Sequence, residues 1–183
     1  MSAISGSNVV APNRVTIDAP SGESLQDFYI DIDGIAGESQ DTAHSGQIDV
    51  LSWGIAASQS SSVASGGGLT TGKTHFSELV FTHYVDKASA NLLKYCASGK
   101  HIGKAELTCC KAGDGQQEYM KITLKDVIVS HVGTRGSTDN ARVLEEIGLS
   151  YAEILVEVKE QNNDGSMGAA VQGGYNIKTN TVI

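Results

Sequence analysis

The sequence predicts a mainly β protein with one α-helix, and three observations support that prediction. Apolar and polar residues alternate over many short segments, as in residues 28–33, and this period is typical of half-buried strands. Glycine-rich turns separate the segments at intervals of about 8 to 15 residues, a spacing that indicates a β-barrel or a β-sandwich. Only residues 86–99 combine a helical period with helix start and stop signals.

The length of 183 residues fits one domain, which can bury roughly 70% of its unfolded surface. Residues 1–26 contain both prolines, are rich in Ser, Ala, Asn and Gly, and sustain no period. We therefore expect them to form an N-terminal extension that is mobile or docked on a neighbour. Residues 27–183 form the predicted β domain.

The charge distribution argues against two classes of partner. The formal net charge is −8 at pH 7, and no block of lysine or arginine offers a positive face to nucleic acid or to an anionic membrane. No apolar run approaches the ~20 residues of a transmembrane helix, so we expect no membrane insertion. The first fifteen residues, MSAISGSNVVAPNRV, lack the basic and apolar regions of a signal peptide, so we expect any export to use another route.

The three cysteines predict a reducing compartment and no metal site. Cys109 and Cys110 are adjacent and Cys96 lies in the predicted helix, so neither a CxxC pair nor a Cys/His ligand spacing exists. We expect all three to be buried or surface thiols without a chemical role.

The first strands follow from the order of apolar residues. Residues 28–32 form a half-buried strand that ends at Gly34, and the polar segment 37–46 forms a loop. The apolar parity then changes within residues 48–55, which predicts a strand buried on both faces or a bulge. Residues 58–72 are a Ser/Gly/Thr-rich segment that we expect to be a long loop without secondary structure. Loops of that length are usually functional or disordered.

A strand over residues 74–84 leads into the predicted helix. Asp86 is a good N-cap, and Gly99 occupies the position where helices end in a left-handed residue. One face of the helix is apolar and consists of Ala88, Leu92, Tyr95 and Cys96.

The second half of the chain contains further strands. Residues 104–111 and 118–132 form a predicted hairpin around the Asp-Gly turn at 112–115. After the polar loop 133–142 the apolar parity changes within residues 147–158, as it does at a barrel corner or a bulge. The loop 161–168 then leads to a last strand around residues 174–179.

Residues 67–74, with the sequence GGLTTGKT, match the P-loop pattern. A P-loop joins a buried strand to a helix whose N-terminus faces the phosphates. Here the preceding segment SQSSSVASG is not apolar, and residues 75–84 alternate like a strand. We therefore predict no nucleotide site and interpret Lys73 as a residue at the end of a loop.

The remaining polar residues form no constellation typical of an active site. Asp31, Asp33, Glu38 and Asp41 are acidic, but Ile35 breaks the calcium-loop spacing, so a solvated strand end is expected. The five histidines are scattered, and we find no hydrolase elbow, HExxH motif or Cys-His arrangement. We predict no catalytic residue, no cofactor-binding residue and no metal site. The protein is therefore not expected to be an enzyme.

Long Gly/Ser segments on a β scaffold are typical of homotypic assembly, because exposed sheet edges and loops are common contacts between copies. The residues taken alone thus predict a β-rich protein that assembles with itself.

Six segments resemble the Hcp family, the tube proteins of bacterial type VI secretion systems, in order from about residue 27 to the C-terminus. They are FYIDIDGIAGES (28–39), IDVLSW (48–53), GGGLTTGK (66–73), FTHYVDKASANLLKYCASGKHI (81–102), KAGDGQQEYMKITLKDVIVSHV (111–132) and GYNIKTN (174–180).

The resemblance implies a small β-barrel of two antiparallel sheets with one flanking helix. It also implies self-assembly into hexameric rings that stack into the inner tube of the system. The implied partners are further copies of the chain, a VgrG-type tip protein, the sheath and effector proteins. The protein would be cytoplasmic before firing and then secreted without a signal peptide. The implied assembly loop, which contacts neighbouring subunits or rings, contains Ser60, Ser61, Ser62, Val63, Gly66, Gly67, Gly68 and Leu69.

Three departures from the family pattern concern the lumen and the termini. The family commonly has W-S-W-G where this chain has residues 53–56 with the sequence WGIA, so the small lumen-facing residue falls on Gly54. Tyr175 stands where the family usually has Trp, and residues 1–26 have no counterpart. The alternative function is a soluble effector-binding or chaperone ring that does not form a long tube.

Overall fold

The structure, a computed structural model, describes residues 26–63, 69–111, 117–162 and 166–183. In this part of the chain it contains twelve strands and one helix, which confirms the predicted mainly β fold. The elements are β1 (Gln26–Ile32), β2 (Ile48–Val50), β3 (Ser52–Gly54), β4 (Ala57–Val63), β5 (Leu69–Phe76), β6 (Leu79–Tyr84), α1 (Lys87–Ser98), β7 (His101–Lys111), β8 (Gln117–Arg135), β9 (Leu144–Ser150), β10 (Glu153–Gln161), β11 (Met167–Asn176) and β12 (Thr181–Val182).

Residues 1–25 lie outside the described residues, so the predicted N-terminal extension (1–26) and β domain (27–183) stay predictions. The first described strand begins at Gln26, next to that boundary. No helix among the described residues is long and apolar enough to span a membrane.

The barrel is a circuit of antiparallel strand pairs. Hydrogen-bonded pairing runs from β1 through β7, β8, β9 and β6 to β3. The chain then passes through Leu51 into β2, which pairs with β1. The Leu51 N–H donates to the carbonyl oxygen of Thr82 in β6 at 2.8 Å, so the residue between β2 and β3 is hydrogen-bonded to β6 as well.

Two chain segments change partners to make this circuit, which explains the predicted parity changes. β2 pairs with β1, whereas β3, beginning two residues after β2 ends, pairs with β6. β9 pairs with β6 and β8, whereas β10 pairs with β8 and β11. Each change of partner turns the chain around a barrel corner, so the residues that face the core change parity there.

The inside of the barrel is a continuous apolar core. Phe81, Leu107, Ile122 and Leu149 are among the fully buried side chains, and they come from β6, β7, β8 and β9. Burial of one such side chain contributes roughly 1.5–3 kcal/mol relative to leaving it in water. The core thus ties together strands that are distant in sequence, which β-barrels require.

The helix packs against the barrel by the predicted face. Ala88, Leu92 and Tyr95 are buried, and α1 contacts β8. The carboxylate of Asp86 accepts a hydrogen bond from the N–H of Ala88 at 2.8 Å, and it forms a capping box with Ser89. Gly99 ends the helix with a φ of 60°, a left-handed conformation that glycine adopts without steric cost.

The prediction of a structureless loop over residues 58–72 is wrong. Most of that segment lies in β4 and β5, which pair with each other as a separate two-stranded antiparallel sheet. Ser and Thr form this hairpin because main-chain hydrogen bonds stabilise a strand pair even when few side chains are apolar. Residues 64–68 lie outside the described residues.

The other predicted strands are present, but their bounds differ from the prediction. The predicted strand at 74–84 is two strands, since β5 ends at Phe76 and β6 begins at Leu79. β8 is 19 residues long because its first half pairs with β7 and β10 and its second half pairs with β9. The last predicted strand, residues 174–179, overlaps only the end of β11, which begins at Met167 and ends at Asn176; a turn over residues 177–180 then leads to β12.

Candidate assembly surfaces

The predicted assembly loop is a hairpin that projects from the barrel. Ser60, Ser61, Ser62 and Val63 lie in β4, and Leu69 begins β5. Gly66, Gly67 and Gly68 lie outside the described residues. Among the described residues β4 and β5 form strand pairs only with each other, so the hairpin backbone has outer edges that another chain can reach.

The base of the hairpin is fixed to the barrel. The Ala56 N–H donates to Ser77 Oγ at 2.8 Å, and the Ser77 N–H donates to the carbonyl oxygen of Ala56, also at 2.8 Å. The rings of Phe76 and Tyr175 lie 5.2 Å apart, which connects β5 to β11. These contacts set the direction in which the hairpin leaves the barrel.

Gly54, the predicted lumen-facing residue, lies in β3 opposite Val80 of β6 and is half-buried. Its neighbour Trp53 packs against the core and meets Phe28 edge-on at a ring distance of 6.2 Å. Orientation toward a lumen requires neighbouring copies, so the role of Gly54 stays a prediction.

The described residues of the P-loop match, 69–74, form part of a strand. Lys73 and Thr74 lie inside β5, and Thr74 donates a side-chain hydrogen bond to Gln59 Oε1 across the hairpin. The chain continues into β6, whereas a P-loop continues into a helix whose N-terminus faces the phosphates.

The acidic residues singled out in the sequence cap backbone groups. Glu38 Oε1 accepts the Lys87 N–H at 3.1 Å, which joins the loop before β2 to the start of α1. Asp41 Oδ1 accepts the N–H groups of Ala43 and His44, each at 2.9 Å. Asp31 and Asp33 are exposed, as expected for a solvated strand end.

The structure brings together a cysteine and a histidine that are far apart in the sequence. Cys110 Sγ lies 3.5 Å from His44 Nε2, and both side chains are buried on the face of β1 and β7 that the loop before β2 covers. His44 also stacks on Tyr29 at a ring distance of 4.3 Å. The 66 residues between Cys110 and His44 leave no local signal of this contact in the sequence.

The Cys-His contact does not make an activated thiol. Burial, together with the charges of Glu118, Asp27 and Asp41, raises the pKa of Cys110 to about 11. Burial and the neighbouring Cys110 raise the pKa of Cys109 to about 12. Both thiols are therefore protonated near neutral pH, and a protonated thiol is a poor nucleophile and a poor metal ligand. Among the described residues no group of three or more acidic, His or Cys side chains could hold a metal ion.

A second polar contact inside the molecule connects β6 and β9. His83 Nε2 lies 3.1 Å from Glu145 Oε2, with both side chains buried, and Glu145 Oε1 accepts a hydrogen bond from Thr134 at 2.9 Å. His83 Nδ1 has no hydrogen-bond partner within the described part of the chain and lies 3.9 Å from Asp86 Oδ1. The hydrogen bonds of Glu145 therefore connect β9 to His83 of β6 and to Thr134 of β8.

The strands β7, β8 and β10 carry a row of ion pairs on their outer face. Lys121 Nζ lies 3.2 Å from Glu106 Oε1, and Lys125 Nζ lies 2.6 Å from Glu153 Oε1. Burial raises the pKa of Glu106, but the hydrogen bond and charge of Lys121 and the charge of Lys104 outweigh it and lower that pKa overall. This face is therefore a solvated, salt-linked surface.

The opposite face of β10 and β11 is apolar and forms a groove of about 370 Å³ next to the hairpin base. Two glycines, Gly173 and Gly174, contribute to its floor. Its lining consists of Ile55, Ala56, Ala57, Phe76, Ile154, Val156, Gly173, Gly174 and Tyr175.

The described elements have clear relatives among known proteins. A family model described as type VI secretion system effector, Hcp, matches residues 29–158. Protein hcp1 of Pseudomonas aeruginosa is 44% identical over 156 residues, which cover 84% of this chain and 96% of that protein.

Solved structures show the same architecture. Hcp1 from Salmonella typhimurium is 40% identical with a TM-score of 0.75, covering 87% of this chain and 100% of that chain. A type six secretion system protein is 30% identical with a TM-score of 0.82, covering 86% of this chain and 99% of that chain. A type VI secretion system effector from Yersinia pestis is 35% identical with a TM-score of 0.68, covering 82% and 99%.

Proposed function

From the premise that this chain belongs to the Hcp family of type VI secretion system proteins, we propose that it is a structural subunit of the inner tube. Copies form hexameric rings, and rings stack into a conduit. The observation that carries the proposal is the identity of 44% with Protein hcp1, which extends over 84% of this chain.

The mechanism of such a subunit is mechanical. The barrel supplies a rigid body whose core residues come from strands all along the chain. The hairpin β4–β5 is fixed at its base by Ala56 and Ser77 and projects its strand edges away from the barrel. In a ring each weak contact is repeated by symmetry, so many such contacts make a stable tube.

The function includes export and delivery. The protein is held in the cytoplasm before firing, is expelled by contraction of the sheath beneath a VgrG-type tip protein, and carries effectors inside the ring. Gly54 faces the lumen in this arrangement. The net charge of −8 supports protein partners over nucleic acid, since an acidic surface repels phosphates.

The protein does not act as an enzyme in this proposal. The polar residues that could have formed a site serve as caps and strand links, as with Asp41 and His83. The raised pKa values of Cys109 and Cys110 leave no thiolate nucleophile near neutral pH.

The proposal is tested by native mass spectrometry and negative-stain microscopy of the purified full chain. We expect hexamers and ring-shaped particles, with stacks at high protein concentration. A strictly monomeric species at high concentration contradicts the proposal. Rings that bind effectors but neither stack nor leave the cell would instead identify a soluble effector-binding ring.

A further inference from the structure

Strand β11 lies next to the border of the main sheet, and part of its outer edge carries no strand. Gly174 exchanges both backbone hydrogen bonds with Ile183, at N to O distances of 3.1 and 3.0 Å, so its N–H and C=O groups point away from β10. Pairing with β10 is regular as far as Ala170, so Gln172 and Ala170 present their backbone groups to the same outer side. Among the described residues β12 covers only the far end of β11, and no strand pairs with the outward groups of Gln172 and Ala170.

This edge carries neither a charge nor a proline, and its register with β10 shifts only beyond Ala170, between Lys159 and Gln161. β11 has the sequence MGAAVQGGYN, without charge or proline, whereas the adjacent β10 has the sequence EILVEVKEQ. Val171 on this edge strand is 76% exposed. Natural proteins protect strand edges with charges, prolines or bulges, so an uncharged open edge is suited to accept another strand.

The hairpin β4–β5 of the same chain can supply such a strand. β4 and β5 are 7 and 8 residues long, and among the described residues they pair only with each other. An isolated two-stranded hairpin is marginally stable in water, so a third strand would stabilise it. Lys73 is the charged residue of the two strands, and β11 has none, so pairing brings no like charges together.

We propose that the outer edge of β11 at Ala170 and Gln172 binds the hairpin β4–β5 of a second copy of this chain as an added strand. Each copy then offers one acceptor edge and one donor hairpin, which are the two different surfaces of a head-to-tail contact. The inference rests on the proposed function, because it names a surface through which assembled copies join.

Amide hydrogen exchange with residue-resolved detection tests the edge directly on the full chain. The exchange rates are compared at concentrations where the protein is assembled and where it is dissociated. We expect the amides of Ala170 and Gln172 to exchange at least about tenfold faster in the dissociated protein, since only assembly pairs them. The Val171 amide points toward β10 and keeps its protection in both states. Equal exchange of Ala170 and Gln172 in the two states overturns the inference.

The substitution Ala170→Pro removes the outward N–H, and proline is tolerated on an edge strand. We expect the concentration for half-assembly to rise at least about tenfold, the effect of losing a hydrogen bond in each repeated contact. The matched control Ala170→Thr keeps the N–H, and we expect a change of less than about threefold. Analytical ultracentrifugation measures assembly, and circular dichroism checks the fold. Unchanged assembly of folded Ala170→Pro overturns the inference while leaving the proposed function standing.

A photo-crosslinking residue at position 172 identifies the occupant even if Ala170→Pro does not fold. Isotope-labelled and unlabelled copies are mixed, so that mass spectrometry separates adducts between chains from adducts within a chain. We expect adducts between chains at residues 57–76. Adducts confined to other segments, or the absence of adducts between chains in assembled protein, overturn the assignment of the hairpin. A wild-type protein that never assembles contradicts both the proposed function and this inference.

Discussion

The barrel and the hairpin β4–β5 are both antiparallel β-structure, but different interactions hold them together. In the barrel strands β6 and β9, residues such as Phe81 and Ile147 are fully buried. In the hairpin, Ala57, Ser58 and Gln59 are exposed, and the described strands pair only with each other. Because apolar burial supplies most of the folding free energy, packing constrains the barrel sequence far more than the hairpin sequence. The hairpin is therefore the region whose residues can serve contacts between molecules.

The largest effect on stability is expected in the barrel core. Leu107 is fully buried in β7, and Leu107→Ala should lower the free energy of unfolding by about 2–5 kcal/mol through lost burial and the cavity left behind. Urea denaturation under conditions that keep the protein monomeric measures this loss. The control Leu93→Ala removes a side chain that is 59% exposed and should change stability by less than about 0.5 kcal/mol. Equal losses for the two variants would contradict the assignment of the core.

A smaller effect is expected where the helix joins the barrel. Asp86→Ala removes the carboxylate that accepts the Ala88 N–H, and we expect a loss of about 1 kcal/mol in the free energy of unfolding. Thermal denaturation followed by circular dichroism measures it. Asp86→Ser retains a capping oxygen and should recover most of the stability. If Asp86→Ser is as unstable as Asp86→Ala, the contact with His83 and not the cap is the source of the effect.

The ion pair on the outer face should contribute still less, and its contribution should depend on pH. The pKa of Glu106 is lowered in the folded protein, so this carboxylate stabilises the fold above its ordinary pKa of 4.5. That contribution is lost as the pH falls through the lowered value. Because the pair is partly exposed, we expect it to account for less than ~1 kcal/mol of the stability that the wild-type protein loses between about pH 6 and about pH 3. Glu106→Gln should therefore lose that much less stability than the wild-type protein over this range. Urea denaturation across this range measures it, and Lys121→Met should have a similar effect.

The smallest effect on stability is expected in the hairpin. Replacing residues 60–69 by a short turn should change the free energy of unfolding of the monomer by less than ~0.5 kcal/mol, since this replacement leaves the barrel core intact. The same variant should lose ring or neighbour contacts, measured by native mass spectrometry and negative-stain microscopy. Unchanged assembly after this shortening would rule out the role of the hairpin in contacts between copies. A large loss of monomer stability would contradict the contrast between hairpin and barrel.

Local signals predicted the helix and the positions of the parity changes but not the contacts. Asp86 and Gly99 mark the two ends of α1 because capping depends on neighbouring residues alone. The parity change in residues 147–158 indicated a barrel corner or a bulge, and the one in residues 48–55 indicated a strand buried on both faces or a bulge; in the structure both segments change pairing partners. The hairpin was missed because its Ser- and Gly-rich strands lack the apolar alternation on which strand prediction depends.

The sequence by itself determined the mainly β class, the single helix, the acidic surface and, through six segments at family spacing, membership of the Hcp family. Only the tertiary structure decided which residues meet across the chain. It placed Cys110 against His44, paired His83 with Glu145, and left the outward backbone groups of Ala170 and Gln172 without a strand among the described residues. The physical reason is that periodicity and capping are local, whereas strand pairing joins residues whose separation along the chain carries no pattern.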